Sequence, residues 1–171
     1  MDAWLAGVMI GDGTCHYGKN KAYAVWIDQH ERNRRVLDGV QQKLKLSGFK
    51  IYRYKVPANK ARVLTYSKAL YLEFLSIREN SAKFFSGLND SDKKEFIAGF
   101  FDAEGTMTDR IVIYNSDIRL LKAIQVFLQQ IGIPSFIYEF GKIHGLQVYR
   151  KLHKDIFFKE IKAIRLSRRT G

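Results

Sequence analysis

The chain has 171 residues, of which 46% are hydrophobic and 13% aromatic, so it can bury a core and is too apolar for a disordered protein. Its single cysteine, Cys15, excludes an internal disulfide and a cluster of thiolate metal ligands, and it suits a reducing, intracellular compartment. A net charge of +12, from 29 basic and 17 acidic residues, predicts a polyanionic partner, because neutralised phosphates release counterions and strengthen nucleic-acid binding.

The first predicted element is a helix over residues 3–11. Its apolar run is short, is broken by glycine and is followed by an acid, so it fits neither a signal peptide nor a membrane span. Small residues recur four apart along it, at Ala3, Gly7 and Gly11. Glycine inside a helix costs about 1 kcal/mol relative to alanine, so this pattern predicts close packing against a second helix.

The rest of the first half alternates between β-rich and helical segments. The predicted elements are a strand at 23–27, a helix at 32–47 that ends at Gly48, a hairpin of strands 50–56 and 62–66, and a helix at 67–77. Residues 78–94 are predicted to join this half to a second one, with a short helix near 81–86.

The second half repeats the first. The segment WLAGVMIGDGT at residues 4–14 returns without a gap as FIAGFFDAEGT at residues 96–106. A strand at 110–114, a helix at 117–131, a hairpin of strands 135–140 and 146–149 and a helix at 154–166 are predicted to follow. About eight extra residues in the first half are assigned to a loop near 16–21.

This repeat predicts an α+β fold of two pseudo-symmetric αββαββα halves with antiparallel sheets. The predicted limits are 1–78 for the N-terminal half, 79–94 for the linker and 95–171 for the C-terminal half. The basic stretch at 165–169 is interpreted as a solvated tail that can touch phosphate.

Both motif helices are predicted to end in an acid, Asp12 and Glu104, each followed by Gly and Thr. A carboxylate at a helix C-terminus is disfavoured by roughly 0.3–1 kcal/mol, and two carboxylates brought together repel each other. A hard cation between them would offset this cost, and Mg²⁺ typically takes carboxylates, water and phosphate oxygens. We therefore predict metal ions that activate water and stabilise the leaving oxygen in phosphodiester hydrolysis.

The segments LAGVMIGDG at residues 5–13 and IAGFFDAEG at residues 97–105 resemble two copies of the LAGLIDADG motif. The chain is most similar to the single-chain homing endonucleases encoded in archaeal ribosomal RNA introns. The resemblance implies a monomeric, saddle-shaped protein whose sheets lie in the DNA major groove. It also implies site-specific cleavage of both strands across the minor groove, which leaves short 3′ overhangs and promotes intron mobility. Mg²⁺ is the implied cofactor, with Mn²⁺ able to substitute and Ca²⁺ expected to bind without supporting cleavage.

The resemblance also assigns roles to particular residues. Metal binding falls to the side chains of Asp12 and Glu104 and the carbonyls of Gly11 and Ala103. Gln29 is similar to the polar residue that organises metal-bound water in one half, and Asn115 is its counterpart. Asp102 occupies the first acidic position of the second motif, where the first motif has Ile10, and it is interpreted as a structural hydrogen-bonding residue. Met107 stands where many members place a lysine near the scissile phosphate, and no lysine is assigned.

The DNA-reading residues are predicted from the alternation of side chains along strands, since one face packs on helices and the other is open. Arg53 and Lys55 share one face, opposite Tyr52 and Tyr54. The predicted DNA contacts are Lys19, Lys21, Tyr23, Arg53, Lys55, Arg62, Arg110, Tyr114, Lys142, Gln147 and Tyr149.

Two other functions remain open. An RNA-binding intron maturase could keep the same scaffold. Loss of the two motif acids would favour a maturase, but both acids are present. A non-cleaving DNA-binding protein is the second alternative, and the unassigned lysine is the one feature in its favour. The four histidines show no metal-ligand spacing, so zinc is not predicted.

Overall fold

Two four-stranded antiparallel sheets and seven α-helices make up the computed structural model, which describes residues 1–166. The N-terminal half contains α1 (Ala3–Asp12), β1 (Gly13–Tyr17), β2 (Tyr23–His30), α2 (Arg34–Leu46), β3 (Tyr52–Val56), β4 (Lys60–Tyr66) and α3 (Lys68–Glu79). After α4 (Ser81–Gly87), the C-terminal half contains α5 (Asp90–Glu104), β5 (Gly105–Met107), β6 (Ile111–Asn115), α6 (Ile118–Gln130), β7 (Phe136–Phe140), β8 (Ile143–Val148) and α7 (Lys151–Glu160).

The strand order is the same in the two halves, β1-β2-β4-β3 and β5-β6-β8-β7. Buried pairs such as Ile27 with Val63 and Ile113 with Leu146 line the side of each sheet that faces the helices. Because strand side chains alternate, the opposite side of each sheet is open. The predicted α+β fold of two pseudo-symmetric halves is confirmed.

Local sequence signals explain where the helices begin and end. The side chains of Ser67 and Asn89 accept hydrogen bonds from backbone N–H groups in the first turns of α3 and α5. Gly48 and Gly132 follow α2 and α6 at equivalent places, with φ of +81° and +80°. This left-handed conformation favours glycine and stops a helix.

The halves meet where α1 crosses α5 at very short range. A Cβ atom on Gly7 would lie within 3.0 Å of the Phe96 carbonyl oxygen, and one on Gly99 would lie equally close to that of Trp4. Atoms essentially never approach a real Cβ this closely, so the small-residue stripe predicted from the sequence is the contact face. The two backbones touch at these glycines.

Several boundaries differ from the predicted ones. Helix α5 begins at Asp90, inside the predicted linker, and α7 runs over Lys151–Glu160 rather than 154–166. The extra residues of the first half lengthen strands as well as a loop, since β1 and β2 have five and eight residues where β5 and β6 have three and five. The domain limits at 78 and 94 stay a prediction, and residues 167–171 of the predicted C-terminal half lie outside the described residues. Among the helices of residues 1–166, none combines the length and apolarity that a membrane crossing requires.

Gly99→Ala should destabilise the protein, because the new methyl group forces the backbones of α1 and α5 apart. Overpacking of this kind costs roughly 1–3 kcal/mol or more. Gly87→Ala is the matched control, since no atom lies within 4 Å of a Cβ at this position in α4. Urea denaturation of both variants measures the difference, and equal midpoints would show that the crossing is not tightly packed.

Candidate active site

The crossing of α1 and α5 brings together the two acids that end these helices. Gly13 and Gly105 follow them in extended conformation. A Cβ atom on Gly11 would lie within 3.0 Å of both Ala103 Cβ and Glu104 Cγ. The Glu104 side chain of one half therefore packs against the last turn of the other half's motif helix, beside Asp12.

Burial and proximity disfavour the charged forms of both carboxylates. Burial raises the pKa of Asp12 from 3.8 to about 6; Asp28 adds to the rise, whereas Arg165 and Lys60 oppose it. Burial also raises the pKa of Glu104 from 4.5 to about 7, and the nearby Asp12 carboxylate adds to this shift. A bound cation would favour the ionised forms of both groups.

The donor atoms at this point fit a hard cation. The last carbonyls of a helix have no intrahelical partner, so those of Gly11 and Ala103, near the ends of α1 and α5, would offer further oxygen ligands beside the carboxylates, although Arg165 Nη1 lies 3.5 Å from the Ala103 oxygen. In residues 1–166, no group of three or more His, Cys, Asp or Glu side chains is placed to hold a metal ion. A Mg²⁺ ion, which keeps several waters and takes substrate phosphate oxygens, needs only this small set.

Gln29, the polar residue predicted to organise metal-bound water, lies next to Asp12. It is buried near the end of β2, and its Nε2 donates a hydrogen bond to Asp12 Oδ2. Its Oε1 accepts a hydrogen bond of 2.9 Å from Asn33 Nδ2, which fixes the orientation of the amide. The amide can therefore hold the Asp12 carboxylate in one position.

Asn115 lies in the other half, at the end of β6. Its Oδ1 accepts a hydrogen bond of 2.8 Å from the backbone N–H of Asp117, at the start of α6. Together with Glu104, Gly11 and Arg78, it lines an open cavity of about 410 Å³. The structure thus brings each predicted polar residue to one of the two acids.

The open side of the N-terminal sheet carries a charged and aromatic cluster. Arg62 on β4 pairs with Asp28 on β2 through two hydrogen bonds of 2.7 Å. Its guanidinium lies over the Trp26 ring at 4.8 Å and over the Tyr54 ring at 6.0 Å. Arg62, a predicted DNA contact on a strand without clean alternation in the sequence, therefore lies on the open face.

The open side of the C-terminal sheet is more aromatic. Tyr114 accepts a hydrogen bond of 3.1 Å from the Tyr138 hydroxyl, and its ring packs near Phe140. Arg110 donates a hydrogen bond of 3.3 Å to Gln147 Oε1 on the same face, but Gln147, a predicted DNA contact, is only 5% exposed. Tyr149 is exposed at the end of the sheet, and its ring packs on Phe136.

Three predicted DNA contacts lie on the helix-facing side of the N-terminal sheet. Arg53 pairs in register with the buried Val63, and its guanidinium forms an ion pair of 2.5 Å with Asp38 on α2. Lys55 shares that side of β3, although it is exposed. Tyr23 packs edge-on against Tyr71 of α3, with ring centroids 5.1 Å apart. Alternation grouped Arg53 with Lys55 correctly, but the open residues of β3 are Tyr52 and Tyr54.

Lys19, Lys21 and Lys142 are exposed in the turns after β1 and β7. Lys21 has a positive φ of 57° and lies in the turn that connects β1 to β2. These turns project from the strand ends, where a lysine can reach a phosphate without reading a base.

The sequence does not predict the place of Arg165, which belongs to the basic stretch interpreted as a solvated tail in reach of phosphate. Its Nη1 lies 3.3–3.5 Å from the carbonyl oxygens of Phe101, Asp102 and Ala103 at the end of α5. Residues 167–169 of the predicted tail lie outside the described residues. An isolated arginine at a helix end carries no sequence signal for such a contact.

The chain is similar to known proteins over most of its length. The family profile described as LAGLIDADG-like domain matches residues 91–162. The chain is 28% identical over 168 residues to an uncharacterised protein of Methanocaldococcus jannaschii, covering 92% of this chain but only 59% of that protein. It is 27% identical over 164 residues to the homing endonuclease I-DmoI of Desulfurococcus mucosus, covering 86% of this chain and 79% of that protein.

Solved structures show the same fold. A crystal structure of I-DmoI in complex with DNA and Mn superposes with a TM-score of 0.76 at 24% identity, covering 94% of both chains. The N-terminal LAGLIDADG domain of DUF199/WhiA gives a TM-score of 0.68 at 14% identity, covering 95% of this chain and 82% of that one. The family resemblance inferred from the two motifs is confirmed.

Metal-free Asp12→Asn and Glu104→Gln variants should be more stable than the wild type at pH 7.5. The raised pKa values mean that the native state binds protons more tightly than the unfolded chain. The resulting destabilisation is absent when the pH is below the ordinary pKa, 3.8 for Asp12 and 4.5 for Glu104. It is complete when the pH is above the raised pKa, about 6 for Asp12 and about 7 for Glu104. After discounting for partial exposure, each substitution should add roughly 1–2 kcal/mol.

Urea denaturation at pH 7.5 and pH 5 measures this gain, which should shrink at the lower pH. Glu95→Gln is the control, because Glu95 is an exposed acid on the same helix. A gain that is the same at both pH values would contradict the assigned cause.

Proposed function

We propose that this chain, a member of the LAGLIDADG family, is a site-specific DNA endonuclease that cuts both strands with divalent metal ions. The observation that carries the proposal is the meeting of Asp12 and Glu104, one from each half, between two sheets of the same topology. Two equivalent halves around one pair of carboxylates suit a substrate with two antiparallel strands. A single chain already supplies both halves, so the proposed active form is a monomer.

The proposed reaction is hydrolysis of a phosphodiester bond. A water oxygen forms a bond to phosphorus, the bond from phosphorus to the 3′ oxygen breaks, and a proton passes to that oxygen. A divalent metal, when bound, lowers the pKa of water and stabilises the leaving oxygen. Asp12 and Glu104 would hold it with the carbonyls of Gly11 and Ala103, and Gln29 would hold the Asp12 carboxylate in place.

Duplex DNA is the proposed substrate, with the open faces of the sheets in the major groove and the two acids at the minor groove between them. The net charge of +12 supports binding to phosphates. Crystal structures of I-DmoI in complex with DNA and Mn and with DNA and Ca support a divalent requirement and a DNA partner. Short 3′ overhangs, intron mobility and an intracellular location complete the proposal.

The metal preference is proposed from the same chemistry. Mg²⁺ is the proposed cofactor and Mn²⁺ is expected to replace it, because both accept octahedral oxygen ligands. Ca²⁺ is expected to bind without supporting cleavage. The alternatives, a maturase and a non-cleaving DNA-binding protein, do not need the paired carboxylates and therefore leave their desolvation unexplained.

Cleavage of a library of duplex sites should occur with wild-type protein and Mg²⁺ and should stop with Ca²⁺ or EDTA. Asp12→Asn and Glu104→Gln should each lower the cleavage rate by roughly 100-fold or more, because charge stabilisation at the reacting phosphate is lost. Both variants should still bind the selected duplex. Glu95→Gln should cut like the wild type, since it removes an acid from α5 far from the carboxylate pair.

Duplex binding without cleavage in Mg²⁺ or Mn²⁺ would reject the endonuclease and favour the non-cleaving DNA-binding protein. Displacement of the bound duplex by intron RNA, with no cleavage of the DNA, would favour the maturase.

Arg62→Gln should weaken binding to the selected duplex by roughly 5- to 150-fold and relax specificity at one base position, because Arg62 lies on the open face. Arg53→Gln removes the same charge from the helix-facing side of the same sheet, where Arg53 pairs with Asp38. Fluorescence anisotropy in Ca²⁺ compares the two variants. A larger loss with Arg53→Gln would mean that the faces are assigned the wrong way round.

A further inference from the structure

The segment that follows α7 is attached to the motif helices by one buried carboxylate. Asp102 accepts hydrogen bonds from the backbone N–H groups of Ile164, at 2.9 Å, and Arg165, at 2.8 Å. The same carboxylate accepts a hydrogen bond of 3.0 Å from Trp4 Nε1 on α1. Asp102 has 0% of its surface exposed, so it binds the C-terminal segment to both halves at the crossing.

These contacts fix the place from which the Arg165 side chain extends. Its guanidinium lies at the C-terminal end of α5, where the helix dipole favours a cation. The three carbonyl oxygens that it approaches belong to Phe101, Asp102 and Ala103, and its Cζ lies 5.9 Å from the centre of the Phe101 ring. Ala103 directly precedes Glu104, and the charge of Arg165 also lowers the pKa of Asp12.

The bonds from Arg165 to the carbonyl oxygens are long, at 3.3–3.5 Å, and neutral oxygens are weak acceptors for a guanidinium. A phosphate oxygen is a stronger partner, because it is charged and matches the planar fork of the group. Arginine also stays charged at every working pH. A phosphate at the carboxylate pair would offer this side chain a charged acceptor, which the three carbonyl oxygens do not.

Each half closes on an Ile-Arg pair, Ile77-Arg78 at the end of α3 and Ile164-Arg165 after α7. Arg78 lines the cavity that contains Gly11 and Glu104. Each half thus presents an arginine near the end of a motif helix. Met107, in contrast, brings no charge to the place where a lysine was expected, and its strand position pairs with the buried Ile111.

We propose that Arg165 is a catalytic residue that contacts the scissile phosphate and stabilises its developing charge, and that Asp102 is its positioning residue. This inference rests on the proposed endonuclease function. The guanidinium binds non-bridging oxygens while the bond to the 3′ oxygen breaks, so it takes part in no proton transfer.

The first test measures contact with the phosphate in the absence of metal. The duplex carries a neutral methylphosphonate in place of the scissile phosphate, and anisotropy in EDTA gives its affinity relative to the unmodified duplex. Methylphosphonate should weaken binding of the duplex by the wild type roughly 10-fold. It should weaken binding by Arg165→Met less than about 2-fold, because this variant has no guanidinium to interact with the phosphate charge. Equal losses in the two proteins would overturn the proposal.

The second test is single-turnover cleavage in Mg²⁺ at enzyme concentrations above Kd. Arg165→Met should lower the rate by roughly 100-fold, as expected for loss of a charge-stabilising donor, and Arg165→Lys should recover part of it. Lys162→Ala is the matched control, because it removes an exposed positive charge from the same segment and should leave the rate unchanged. Thermal denaturation identifies the temperature at which all the proteins are folded.

Asp102→Asn keeps one acceptor oxygen on the side chain. The variant should cleave as slowly as Arg165→Met, and its affinity for the duplex should not fall when methylphosphonate replaces the scissile phosphate. Equal activity of wild type and Arg165→Met would overturn the inference without affecting the proposed function. Absence of cleavage by the wild type would instead reject the proposed function.

Discussion

The close crossing of α1 and α5 is the contact on which the rest of the molecule depends. Gly7 meets the Phe96 carbonyl and Gly99 meets the Trp4 carbonyl, and the two contacts are related by the sequence repeat. A side chain at either glycine would separate the helices. Because the acids come five residues after these glycines in both copies, the same contact that joins the halves also sets the distance between the carboxylates. A change in the packing of α1 against α5 therefore also changes the geometry of the two carboxylates.

The crossing also explains why the site is costly to build. It places two carboxylates at the negative ends of two helices and removes water from them, which raises the pKa of both. The second motif has Asp102 where the first has Ile10, and this difference corresponds to a difference in the chain that follows the last helix of each half. After α3 the chain continues directly into α4. After α7 the chain is no longer helical, and the Asp102 carboxylate accepts hydrogen bonds from the backbone N–H groups of Ile164 and Arg165.

Sequence reasoning identified features that are encoded locally or repeated. The two motif helices, the small-residue stripe, Gly48 as a helix stop and the pairing of acids with Gln29 and Asn115 all follow from spacing or from the family resemblance. Alternation along β3 separated Arg53 from Tyr54, but it does not say which face a helix covers, and the ion pair with Asp38 decides that. Arg165 escaped detection because its place depends on a tertiary contact with Asp102, which neighbouring residues do not encode.

The two open faces differ more than the shared topology suggests. The N-terminal face is built on a longer strand pair and carries Arg62, Asp28 and Trp26, whereas the C-terminal face presents Tyr114, Tyr138 and Phe140. Symmetric proteins bind palindromic sites because equal faces read equal half-sites. A single chain is free of that requirement, since each half can change without its partner. On the proposed function, a target site with unlike halves is therefore expected. The glycine contacts of the crossing are kept in both copies and hold the acids together, whereas the open faces of the two sheets have diverged.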